Sequence, residues 1–259
     1  MKNASLLLPV VVLTFAVTCQ AGSVARLGRQ YFDEGDSACV FAGGAVYVIG
    51  KEKLYKIDPA TGAAERVGRM YFDKGPADIT ALGGKLYVVG NEKVYEIDPA
   101  TGDTKRIGRK YLDKGDVAIT VHHGQLYVMG SEKLYHVDLA TGKFTRIGSA
   151  YFDKGPVGLA SLGGKLYVLG KEKLYRVDPK TGATDRVGRK YFDKGDVAAT
   201  ALGEFLYVLG NERLYRIDVN TGTETRLAKE YFDKGSVDIT TDGKVLYLIG
   251  KERLYKVAP

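Results

Sequence analysis

Tyrosine and aspartate recur two residues apart at six places in this chain: Tyr31 and Asp33, Tyr71 and Asp73, Tyr111 and Asp113, Tyr151 and Asp153, Tyr191 and Asp193, Tyr231 and Asp233. A tyrosine ring offers a large flat apolar surface with a polar tip, at low entropic cost. A carboxylate accepts hydrogen bonds from hydroxyl groups. Together they suit the recognition of carbohydrate, and six copies would give multivalency, which raises avidity without any new kind of contact. The same residues admit an architectural reading. Each pair sits in the phrase Tyr-Phe-Asp-Lys-Gly or a near copy, with Glu34 for Lys in the first and Leu112 for Phe in the third. The aspartate can then cap a tight turn before glycine, and the aromatic pair can plug a gap between neighbouring units.

A second set of carboxylates follows at alternate positions. Asp36, Asp116 and Asp196 come directly after the glycine of three phrases, where the other three carry Pro76, Pro156 and Ser236. Three carboxylates around an axis are hard oxygen ligands of the kind calcium takes. Read instead as exposed turn residues balanced by nearby lysines, they need no metal. The expectation is therefore no cofactor, with calcium as the weaker alternative.

Catalysis finds little support. The three histidines, His122, His123 and His136, fall in one stretch, and the adjacent pair is expected in a solvated turn. Zinc-site spacings and a Gly-x-Ser-x-Gly elbow are both absent. An acid and a base also need unlike environments, whereas these candidates repeat almost uniformly. No enzymatic role is expected. Six arginines, Arg26, Arg66, Arg106, Arg146, Arg186 and Arg226, read as solvated charges on edge strands that block pairing there; a footprint for an anionic polymer is the lesser reading. Cys39 stands where later copies carry Ile79, Ile119, Leu159, Ala199 and Ile239, so it reads as a small buried hydrophobe.

The spacing of these residues identifies what must position them. Tyr31 and its counterparts lie 40 residues apart every time, and all 18 tyrosines fall at three positions of that period. In the second copy, Ala77–Leu82, Lys85–Val89, Lys93–Asp98 and Asp103–Gly108 read as strands, separated by Gly83-Gly84, Gly90-Asn91-Glu92 and Pro99-Ala100-Thr101-Gly102. Leu86 and Val88 should face one side, and Tyr87 and Val89 the other. Four short strands per 40 residues is the arithmetic of a propeller blade. The last copy, from Tyr231 to Pro259, stops where its fourth strand should begin, and the missing piece matches the segment before Tyr31. Ser23–Gly28 should therefore supply the outer strand of the last blade. The predicted fold is all-β, a six-bladed β-propeller over residues 22–259 closed by its N-terminal strand. The Tyr-Phe-Asp-Lys-Gly phrase and the Gly-x-Glu-Lys/Arg turn should share one face.

Leu82-Gly83-Gly84-Lys85-Leu86-Tyr87-Val88-Val89-Gly90, followed by Tyr95 and Asp98-Pro99-Ala100-Thr101-Gly102, resembles a shortened kelch-type repeat and is similar to the repeats of quinoprotein-type propellers. Kelch repeats usually also carry a tryptophan, and this chain has none. The resemblance implies architecture and a binding role rather than a particular ligand.

The first 21 residues differ from the rest. Lys2, an apolar run from Ala4 to Val17 and small residues ahead of the bond after Ala21 have the form of a secretory signal peptide. The run is too short for a comfortable membrane span. Thr18 is a poor residue before a lipid-bearing cysteine, which disfavours anchoring at Cys19. The net charge of +7 arises from Lys and Arg interspersed with Asp and Glu, so it is no nucleic-acid signature. The expectation is a secreted or periplasmic monomer that binds a glycan in a lectin-like way. The alternative is a protein-interaction scaffold of the cell envelope, and a propeller lactonase or oxidase ranks last.

Overall fold

The computed structural model of the chain describes residues 22–32, 36–72, 75–112, 115–152, 156–192, 194–232 and 235–259. Within them lie 24 strands in six four-stranded antiparallel sheets, and no helix. The second blade is made of Asp78–Leu82, Lys85–Gly90, Lys93–Ile97 and Thr104–Ile107, within a residue or two of the bounds read from the sequence. The innermost strand of each blade contacts that of the next, and the first blade's contacts the sixth's, so the sheets form a closed ring. The protein is a six-bladed β-propeller.

Period-two alternation divides each blade between two cores. Leu86 and Val88 pack with Tyr47 and Ile49 of the first blade, while Tyr87 and Val89 pack with Ile119 and Leu126 of the third. A blade interior is thus buried on both sides, which is why its second strand is apolar and buried from Leu86 to Gly90 even though the sheet is antiparallel. Six such clusters lie between the six blades.

The ring is latched by the N-terminal segment. Val24–Arg26 pairs with Arg253–Val257, with Val24 opposite Val257 and Arg26 opposite Tyr255. Backbone bonds from Gly22 to Ala258 and from Leu27 to Leu254, both 2.8 Å, extend the seam. The strand is shorter than the expected Ser23–Gly28, but it occupies the expected place.

The two faces are built from different turns. On the lower face, Asp58 Oδ1 accepts the N–H groups of Ala60 and Thr61 at 2.7 and 2.9 Å, and these bonds hold the Asp58 carboxyl below its ordinary pKa. On the upper face, each hairpin turns on two non-glycine residues with positive φ, such as Asn91 at 49° and Glu92 at 61°. A two-residue hairpin turn of that kind normally uses Asn-Gly. A glutamate at its second position is strained, and this occurs in every blade.

Candidate binding face

The strained upper turns are held by the segments that link the blades. Phe72 N–H donates to the Glu52 carbonyl at 2.8 Å, and Leu112, Phe152, Phe192, Phe232 and Phe32 make the same bond to the turn of the preceding blade. This bond splits each aromatic pair between two roles. The Phe32 set is 2–5% exposed, sealed between blades, and a Cβ on Gly90 would stand only 3.0 Å from the Phe72 ring. The Tyr31 set is 41–51% exposed, and these are the large apolar side chains left open on the surface among the described residues. The plug is therefore the phenylalanine alone, and the tyrosine is free for another task.

The tyrosines are not bare platforms. Lys53 Nζ and the Arg66 guanidinium lie 5.2 and 4.8 Å from the centre of the Tyr71 ring. The pattern recurs at all six tyrosines, with every cation 3.7–5.6 Å from the ring centre. One cation comes from the start of the preceding blade's third strand, the other from its outer strand. Arg66 Nη2 also donates to the Arg69 carbonyl at 3.0 Å, and its five counterparts do the same within 2.5–2.9 Å. The outer-strand arginines are thus folded over tyrosine and tethered to the backbone, rather than standing free as edge charges. At two positions the lysine is replaced by arginine, and Arg213 and Arg253 donate to the phenolic oxygens of Tyr231 and Tyr31. The partner carboxylates named from the sequence, Asp33, Asp73, Asp113, Asp153, Asp193 and Asp233, lie outside the described residues.

The central channel opens on the same face. Asp36, Asp116 and Asp196 surround its mouth with Pro76, Pro156 and Ser236, around a cavity of about 80 Å3. Partial desolvation at the channel mouth raises all three carboxyl pKa values; Asp196 and Asp36 add to the rise at Asp116, and Asp36 adds to it at Asp196. Asp36 and Asp116 are half-buried, and only Asp196 is an exposed turn residue as the sequence suggests. Among the described residues, no three or more His, Cys, Asp and Glu side chains come together in a way that could hold a metal ion.

Deeper in the channel stand Asp78 and Asp238, which the sequence reading passes over. They line a second cavity of about 120 Å3 with Cys39, Thr80 and Thr240. Protein encloses both carboxyls, although the channel itself reaches them. Burial raises Asp238 to about 7; burial and then the Asp238 charge push Asp78 well above the carboxylate range. Ala38, Ala118, Gly158 and Ala198 occupy the same position in the other blades, and two carboxyls among such small residues were the available signal. Burial, followed by these two carboxyls, also pushes the Cys39 thiol well up, so it stays protonated and inert.

The histidines on the lower face depart from the symmetry of the ring. The sequence places His122 and His123 together in an exposed turn, but only His123, with φ of 47°, sits in the turn. His122 ends its strand, is 4% exposed and bonds Ser161 Oγ through Nδ1 at 2.8 Å. Strand alternation turns its side chain inward, an effect the doublet hides.

No family model matches the chain, and no curated protein matches it. Solved structures do. Regucalcin from Agrobacterium tumefaciens, a calcium-binding protein, is similar with a TM-score of 0.68 at 15% identity, over 90% of this chain and 92% of that one. An auxiliary nutrient binding protein from Bacteroides thetaiotaomicron gives 0.68 at 11% identity, over 91% and 76%. BamB from Moraxella catarrhalis gives 0.51 at 18% identity, over 85% and 70%. Likeness at such low identity speaks for the propeller architecture, with which the kelch-type resemblance agrees. Among the described residues, no helix is long and apolar enough to cross a membrane.

Proposed function

We propose that this chain is an exported, non-enzymatic binding protein that engages a repeating ligand, a carbohydrate, through six equivalent tyrosine-centred sites on its upper face. One observation carries the reading. All six tyrosines are exposed, with a pair of cations over each ring, while the neighbouring phenylalanines and Leu112 perform the packing. Structural need alone accounts for the phenylalanines and leaves the tyrosines unexplained. Strained glutamate turns, kept in every blade beside these tyrosines, point the same way, since backbone strain is concentrated at functional surfaces. The near-uniformity of the ring favours repeated binding over catalysis. Export rests on the apolar N-terminal segment. Exposed tyrosine and arginine are also the residues that dominate protein interfaces, which favours an envelope interaction scaffold as the second reading.

The test is a glycan array with the purified 22–259 chain, followed by calorimetric stoichiometry on any hit. Several ligands bound per chain support the proposal. One partner protein bound per ring, with no glycan, replaces it with the scaffold.

A further inference from the structure

The cations over the tyrosines constrain what the upper face can bind. A neutral sugar packs its C–H face onto an open aromatic ring, but here two cations lie over each ring. Their remaining N–H groups are donors, and the phenol is both donor and acceptor. Each site therefore offers charge-assisted hydrogen bonds, the strong form of pairing with carboxylate or sulfate. The surrounding charge agrees. Around Tyr71 the described residues Lys53, Arg66 and Arg69 stand against Glu52. What recurs at each of the six rings is the pair of cations over the tyrosine, one pair per blade. A folded protein presents one irregular surface and would meet six equal sites with unequal contacts. A polymer that repeats its charge meets them equally.

We infer that the upper face binds a polyanionic polysaccharide, one bearing carboxylate or sulfate on successive residues. This rests on the multivalent binding reading above and names the ligand class for the same sites. The cations supply the attraction and the tyrosines hold them in place. Binding is consequently sensitive to salt, because neutralising the charges of a polyanion releases condensed counterions. It is also local to this face.

The experiment compares dextran sulfate with unsulfated dextran of equal length, at 50 and 200 mM NaCl, on the 22–259 chain. Dextran sulfate should bind, at least tenfold more weakly at the higher salt, and dextran should not. Two triple variants separate the site from net charge. Lys93→Gln, Lys133→Gln and Lys173→Gln together should weaken binding at least tenfold with an unchanged melting temperature. Lys85→Gln, Lys143→Gln and Lys165→Gln, which remove equal charge from the lower face, should leave it within about twofold. Lys93→Arg, Lys133→Arg and Lys173→Arg together, matching Arg213 and Arg253 of blades five and six, should retain binding. Equal losses from the two glutamine triples would reduce the effect to net charge and overturn the inference. Salt-insensitive binding of dextran or of neutral array glycans would overturn it while leaving the multivalent reading intact. Absence of binding to any polymer or glycan would overturn both.

Discussion

Asp238 Oδ2 accepts the backbone N–H of Cys39 at 2.5 Å, across the seam where the last blade meets the first. Its Oδ1 accepts the N–H of Ile239 at 2.7 Å, so one carboxyl brackets two innermost strands. Asp78 makes the same bracket between the second and third blades, through Ile79 and Ile119, both at 2.7 Å. Strand N–H groups that face the channel lack sheet partners, and these carboxyls satisfy four of them. Both are raised above the carboxylate range by burial, so charge is what the site tolerates least.

That conflict gives stability a pH dependence. The folded pKa of Asp238 is about 7 against 3.8 for the ordinary group. A carboxyl raised in this sense contributes stability that is complete below the ordinary value and is lost as pH rises through the folded value. The window for Asp238 runs from roughly pH 4 to 7, and Asp78 is shifted in the same direction. Thermal melts should show the protein more stable at pH 5 than at pH 8, by several degrees. Asp238→Ala, the residue three other blades use, should flatten the profile, lowering stability at pH 5 and restoring or improving it at pH 8. A profile with the same slope in wild type and variant would remove Asp238 as the cause.

Much of this architecture is legible in the amino-acid sequence, because the 40-residue period fixes the register and leaves each strand little freedom. Blade closure by the N-terminal segment follows from the same period, since a last copy without a fourth strand has an open edge. The site is legible only in part. Tyr71 and Phe72 look alike in sequence, and their division depends on which one meets Gly90 across the fold. Arg66 reads as an edge charge until the chain brings it over Tyr71 from an adjacent blade. Asp78 and Asp238 sit 160 positions apart, and their convergence on one channel is a property of the ring.

Closure can be tested by removing the latch. Deleting Ser23–Gly28 eliminates the pairing of Val24–Arg26 with Arg253–Val257 and the bond from Leu27 to Leu254. Several backbone hydrogen bonds at about 1 kcal/mol each, plus the burial of Val24 and Leu27, should lower the melting temperature by on the order of 10 °C. The exposed edge should also promote association, visible as a new species in size-exclusion chromatography. An unchanged melting temperature would mean the ring does not depend on this strand.

The two halves of the aromatic pair should separate cleanly by mutation. Phe72→Ala empties a buried site between blades and should cost about 3–5 kcal/mol. Tyr71→Ala removes a half-exposed ring and should cost under about 1 kcal/mol in denaturant unfolding, with its effect confined to ligand binding. Comparable destabilisation by both would return the tyrosine to a packing role and weaken the proposed sites.

The buried His122 should behave unlike a surface histidine. Burial, followed by the adjacent His123, lowers its pKa from the usual 6.5, so the neutral ring is the folded form and Nδ1 shares one proton with Ser161 Oγ. A base whose folded pKa is depressed loses stability as pH falls below the ordinary value, because the unfolded chain binds the extra proton. His122 should therefore titrate below 6.5 by NMR. Ser161→Ala leaves the ring nitrogen buried without its partner, at a cost of about 1–3 kcal/mol. Its destabilisation should be present at pH 7.5, where the ring is neutral in both states. Should the variant match wild type there, the His122–Ser161 bond contributes nothing to the fold. This bond lies on the face opposite the tyrosines, so Ser161→Ala should leave binding to the upper face unchanged.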